Sequence, residues 1–308
     1  MAEAFDYVLL GCFVATFFVY LYVAYITSRL LWHCIIRRHT NSIEIVPILT
    51  THVVSWWLCA ISAIILAAYN IVYWRPEPIY NNVIMFSLFL PAQLALNCVH
   101  ISQFFITLER ILIMKSANPI YNQKLLLAAC VLINIGVATF IGVLFTLQFA
   151  QNGVNDESCV IIICMVGMDT YLVSYHVSNA ISAVNLIASL YFLFLFRKTT
   201  ITVNTHGKQA AKKQNMIKFT ICVDICLDIF PQIVTVVLSL MGSPIGPYVA
   251  TLQRVLFTFC GIFVNQRFYN VFVTHESSFA KTTSVALKTQ SKVFQTSKRL
   301  SVTVPKTF

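Results

Sequence analysis

Glu109 and Arg110 stand side by side at the end of a long apolar run, in Thr107-Leu108-Glu109-Arg110-Ile111-Leu112, with Lys115 and Pro119-Ile120-Tyr121 just beyond. A carboxylate there can restrain a guanidinium until a rearrangement frees its directional N–H donors for a protein partner. Lys212 and Lys213, in a basic segment further on, add to the same candidate surface. The plainer reading is an arginine whose stem lies in lipid while its head reaches water. Earlier in the same run, Gln93, Asn97, His100 and Thr107 recur at helical spacing and share one face. Ser178, Ser182, Asn185 and Ser189 do the same in a later run. Neutral hydrogen-bonding groups on inward faces suit a small-molecule pocket. Hydroxyls between helices also serve simply as packing contacts. Asp224 and Asp228 lie one turn apart, and Arg254 follows in the last apolar run. Ionisable groups in apolar segments mark either a site or a structural ion pair. The functional reading is an anion-preferring pocket near Arg254, with Asp228 as a lock. Gln93, Asn97, His100, Ser178, Ser182, Asp228 and Arg254 are thus the candidate pocket residues. Pro231, in Phe230-Pro231-Gln232, predicts a kink, static or hinging. Asn265 and Tyr269 stand one turn apart and complete a candidate switch with Pro231.

The elements that position these residues follow from composition. Of 308 residues, 58% are apolar and 10% charged, against ~25% charged in an ordinary soluble domain. So few charges cannot cover a soluble surface, which argues against a soluble enzyme, a disulfide-rich secreted domain and a disordered chain. Mean hydropathy is +0.77, and the apolar residues come in blocks long enough for a bilayer core. Seven blocks are read: Tyr7–Trp32, Ile45–Tyr69, Val83–Met114, Leu125–Ala150, about Tyr171–Phe196, Met216–Met241 and Tyr248–Val271. The fold expected is an all-α membrane protein, a seven-transmembrane helix bundle. Cys159–Met168 is apolar but short and is placed in an outer loop. Residues 1–272 form the membrane domain, and 273–308 a basic tail rich in serine and threonine.

Charge sets the orientation. Of the 21 basic residues, 19 fall in alternate loops, the helix ends beside them and the tail, with Arg75 alone on the opposite side. The positive-inside rule then puts the N-terminus outside and the C-terminus in the cytosol. The basic residues flank apolar blocks instead of forming one patch, so nucleic-acid binding is not expected. The net charge of +10 instead favours anionic membrane lipid. No cysteine pair has metal-binding spacing, and neither a metal nor another cofactor is expected. Only Cys159 and Cys164 can meet an oxidising outer side.

With these blocks, this orientation, Glu109-Arg110 closing the third block and Pro119-Ile120-Tyr121 beyond it, the chain resembles a G-protein-coupled receptor. Phe104-Phe105-Ile106-Thr107-Leu108-Glu109-Arg110 and the compact length look most like nematode serpentine chemoreceptors. Departures from the rhodopsin-type pattern are plain: Ile111 stands for its tyrosine, Gln266 for its proline, and Val83–Gln93 holds no cysteine to bridge Cys159. The resemblance implies a chemosensory receptor in the cell membrane of a sensory neuron, without enzymatic activity. It would bind an external small-molecule ligand in the outer half of the bundle and activate a heterotrimeric G protein through Glu109, Arg110, Lys212 and Lys213. Arrestin is a further partner. Phosphorylation of the tail would offset its positive charge and release it from the inner leaflet. The alternative is a seven-span ligand-gated channel or transporter, since pore residues need no motif. The lack of lysine in the seventh block argues against a light-driven pump. An intramembrane hydrolase is disfavoured because Asp224 and Asp228 share one helix.

Overall fold

A computed structural model describes residues 2–40, 47–74, 81–115, 119–153, 168–202, 219, 222–223, 225–241 and 246–270. The helices are α1 (Ala2–Thr40), α2 (Pro47–Val72), α3 (Asn82–Lys115), α4 (Pro119–Gln148), α5 (Met168–Thr202), α6 (Phe230–Leu240) and α7 (Gly246–Tyr269). Wide π-turns close α4 at Phe149–Gly153 and lead into α6 at Ile225–Ile229. No strand occurs among the described residues. Five helical stretches are long and apolar enough to cross a membrane: Leu10–Ile35, Pro47–Val72, Asn82–Ile113, Gln123–Gln151 and His176–Arg197. They match the first five blocks. Of the sixth block, the described part is residues 219, 222–223 and 225–241, which hold the wide turn and the short α6, and α7 covers the seventh.

Local chemistry explains the ends. Pro47 opens α2, where its missing N–H costs nothing. Asn81 caps α3: its Oδ1 accepts the Ile84 N–H at 3.1 Å. The Asn81 N–H in turn donates to Tyr69 Oη at 3.1 Å, tying the start of α3 to the end of α2. Tyr7 and Trp74 meet there with ring centroids 5.3 Å apart, beside the Tyr69–Tyr73 pair at 4.8 Å. Trp32 is exposed at the other end of α1. The Tyr7–Trp32 interval of roughly 37 Å fits amphipathic rings at two headgroup layers.

The chain divides into two units, Met1–Asn265 and Gln266–Phe308. In the first, α3 is central: it packs on α2, α4 and α5, while α2 also packs on α1. Phe86 stacks on Phe149 at 4.2 Å and Phe89 meets Phe145 edge-on at 6.2 Å, joining α3 to α4. Ile111 with Phe192 and Phe196 joins α3 to α5. A further cluster gathers Tyr20, Val23 and Ala24 of α1, Trp56, Cys59 and Ala60 of α2, Val99 of α3 and Phe257 of α7. The outward faces are equally apolar: Leu132, Ile135, Phe140, Val143 and Leu147 of α4 are all exposed. Helices apolar on every side suit lipid as solvent. Of the second unit, the described residues are 266–270.

One glycine decides how α7 seats. A Cβ on Gly261 would lie 2.5 Å from Cη2 and Cζ3 of Trp56, whose ring is buried and cannot swing aside. Gly261→Ala is therefore expected to destabilise the protein by about 1–3 kcal/mol through overpacking, read as a lower Tm in detergent. An unchanged Tm would mean that α7 does not seat on Trp56.

Candidate functional site

The sequence places Gln93, Asn97 and His100 on one face of α3, and the structure divides them between two neighbours. Asn97, buried to 1% exposure, turns to α5, where Ser178 Oγ donates to its Oδ1 at 2.6 Å. Gln93 lies one turn before Asn97 and is half-buried. Ser182 lies one turn beyond Ser178 and is buried. His100 turns instead to α7: its ring stacks on Phe257 with centroids 4.8 Å apart, while its Nδ1 donates to the Leu96 carbonyl at 3.0 Å. The physical reason is angular: three residues turn a helix by about 300°, enough for Asn97 and His100 to face different neighbours.

Beside His100 lies a polar chain that the sequence reading missed. Trp56 Nε1 donates to His52 Nε2 at 3.2 Å, and His52 Nδ1 pairs with Ser102 Oγ at 2.9 Å. Ser102 Oγ donates to the Val99 carbonyl at 2.9 Å. Indole N–H only donates, so Nε2 of His52 accepts and its proton sits on Nδ1. The directions then run one way, from Trp56 through a neutral His52 to Ser102. Trp56 also stacks on Phe257 at 5.0 Å. The available signal was His52 and Trp56 at i, i+4 spacing in an apolar run, a polar pair that a lone helix would leave facing lipid.

No family model matches this chain, and no curated protein sequence does either. What the site can do therefore rests on its own chemistry.

At the other end of α3, Glu109 is buried to 1% exposure. Burial dominates the surroundings of its carboxyl, with Arg110 and Gln123 as its polar neighbours. Neither reaches hydrogen-bond geometry: Glu109 Oε1 and Oε2 and Arg110 Nε have no hydrogen-bond partner among the described residues. Successive helical residues do not face each other, so Glu109 points into the bundle and Arg110 remains half-buried at its side. The expected restraint of Arg110 by Glu109 is not formed in this structure. Lys115 supplies a different tie, donating from Nζ to Tyr191 Oη of α5 and lying over its ring, 5.0 Å from the centroid.

Pro231 is buried in the first turn of α6, directly after the wide turn Ile225–Ile229, and Thr235 Oγ1 donates to its carbonyl at 2.8 Å. A π-turn against a proline is a defined cause of a bent helix. Asn265 is fully buried and donates from Nδ2 to the Gly261 carbonyl at 2.8 Å. Tyr269 is half-exposed in the second unit. The side chains of Asp228 and Arg254 lie outside the described residues, as do Asp224, Lys212, Lys213, residues 159–167 and the tail from 271. Among the described residues, no three His, Cys, Asp or Glu side chains group to hold a metal. Eight described cysteines form no disulfide among the described residues.

Proposed function

We propose that the chain is a chemosensory receptor of the seven-span, G-protein-coupled kind, resembling nematode serpentine chemoreceptors. It takes a small external molecule between the outer halves of its helices and activates a heterotrimeric G protein at the inner end. One observation carries the reading: α3, the central helix, holds buried polar groups turned toward α5 and α7 about its middle and Glu109-Arg110 in its last two turns. A rigid helix with a recognition face about its middle and a half-buried arginine near its end can couple outside to inside. The five long apolar helices support residence in a membrane, and the basic-residue distribution supports an outside N-terminus. Arg110, with Lys212 and Lys213 of the inner loop, is the proposed coupling surface. The bent segment at Pro231 is the proposed hinge, with Asn265 and Tyr269 as switch residues. Anionic lipid and arrestin are the proposed partners of the basic tail.

The test has two parts. An epitope tag at residue 1 is expected to label on intact cells, and a tag after Phe308 only after permeabilisation. In the same cells, challenge with a chemically broad ligand panel is expected to raise a G-protein reporter. The reverse labelling pattern would overturn the orientation. Ligand-gated current without nucleotide exchange would favour a channel.

A further inference from the structure

Toward the Trp32 end of α1, a cation lies among lipid-facing side chains. Phe18, Leu21, Tyr22, Tyr25 and Trp32 are exposed, as are Ser28 and Arg29. At 3.6 residues per turn these positions fall within about a third of the helix circumference, one outward stripe. Within it Leu21, Tyr25 and Arg29 recur every four residues in the order aliphatic, tyrosine, basic. That order is a pattern proposed for sterol contact, weak by itself.

The structure adds depth. Trp32 marks a headgroup layer, and Arg29 stands three residues short of it, about 4.5 Å further into the bilayer. The Arg29 side chain does not reach back to that layer. It leans toward the helix N-terminus, as helical side chains do, and its Cζ lies over the Tyr25 ring, 6.0 Å from the centroid. The ring face offsets part of the cost of a cation at that depth. A guanidinium carries five N–H donors in a fixed fork, more than one partner can use. Beside it, Trp57 Nε1 of α2 donates to Ser28 Oγ at 3.0 Å, which fixes α2 along one side of the stripe. α2 runs antiparallel to α1, since Tyr7 meets Trp74 at the far end. Ile61, one turn beyond Trp57, is exposed and continues the apolar surface away from the headgroups.

We propose that this α1–α2 face binds a sterol, its hydroxyl oxygen at the Arg29 guanidinium and its ring body along Tyr25, Leu21 and Phe18. Depth selects the occupant. A phospholipid phosphate stays in the headgroup layer beside Trp32, whereas a sterol hydroxyl lies below the phosphates, where Arg29 leans. Shape agrees: Tyr25 to Phe18 spans about 10 Å of helix, comparable with a fused four-ring body. A sterol brings one oxygen to one guanidinium and is otherwise apolar, like the stripe. The site is separate from the buried polar groups of α3 and does not depend on the receptor reading.

The test uses the purified full chain in phosphatidylcholine nanodiscs carrying a photoreactive cholesterol analogue, with labelled peptides identified by mass spectrometry. Label is expected on α1 between Phe18 and Arg29, displaced saturably by cholesterol. Epicholesterol, whose hydroxyl is inverted, is expected to compete at least about tenfold less well, roughly one hydrogen bond. Arg29→Met and Tyr25→Leu are each expected to weaken cholesterol competition by a similar factor. Both side chains are exposed, so neither change empties a packed site. Tyr25→Leu leaves every charge in place and decides alone should Arg29→Met fail to insert. Label only outside α1 and α2, equal competition by the two epimers, or unchanged competition in either variant would overturn the proposal. Displacement by phosphatidylinositol bisphosphate but not by cholesterol would assign the face to an anionic headgroup and overturn it as well.

Discussion

Arg110→Ala is expected to reduce agonist-driven nucleotide exchange by about 10- to 100-fold while leaving surface expression unchanged. The guanidinium is half-buried at the end of α3, and its Nε is unpartnered among the described residues. On the proposed receptor reading it is available to a cytosolic partner when the inner helix ends part. Charge-assisted hydrogen bonds contribute ~1.5–3 kcal/mol each, which sets the size of the loss. Arg110→Lys keeps the charge but not the planar fork, so an intermediate loss is expected. Full signalling by Arg110→Ala would reduce the pair to a membrane-edge feature. Glu109 gives the contrast. Because its carboxylate does not hold Arg110 here, Glu109→Gln is expected to leave basal activity where it is. A sharp rise would show that the two pair in the resting state after all.

Trp56→Ala is expected to cost about 3–5 kcal/mol, the range for emptying a large aromatic site. Trp56 is at 1% exposure and is the largest fully buried side chain described. It donates to His52, stacks on Phe257 and fills the space above Gly261. Trp56→Phe separates these roles. It keeps an aromatic face against Phe257 but leaves His52 Nε2 without its donor, so a smaller loss of about 1–3 kcal/mol is expected. The smaller ring also leaves room beside α7. The double variant Trp56→Phe, Gly261→Ala is therefore expected to be less destabilised than the sum of its single variants, by 0.5 kcal/mol or more, as for residues in contact. Tm in detergent measures all three. Strict additivity would mean that the ring and the glycine do not meet.

The sequence by itself determined the helices. Runs of ~20 apolar residues have one solution in lipid, because only a helix satisfies every backbone group internally. α1 to α5 accordingly fall where the hydropathy puts them. Helical spacing also determined which residues share a face, as for Ser178, Ser182 and Asn185 on α5. Spacing cannot say what a face meets. In water, the apolar side of a helix marks the core; here both lipid and core are apolar, so the rotation of each helix leaves little trace in the pattern. Tertiary structure decided that Asn97 meets Ser178, 81 residues on, and that His52 meets Ser102, 50 residues on. It also divided Asn97 from His100, and Glu109 from Arg110, because close neighbours along a helix point in different directions. Gly261 is the sharpest case. In the sequence it is one glycine among nine, and only the approach of α7 to the Trp56 ring leaves no space for a Cβ.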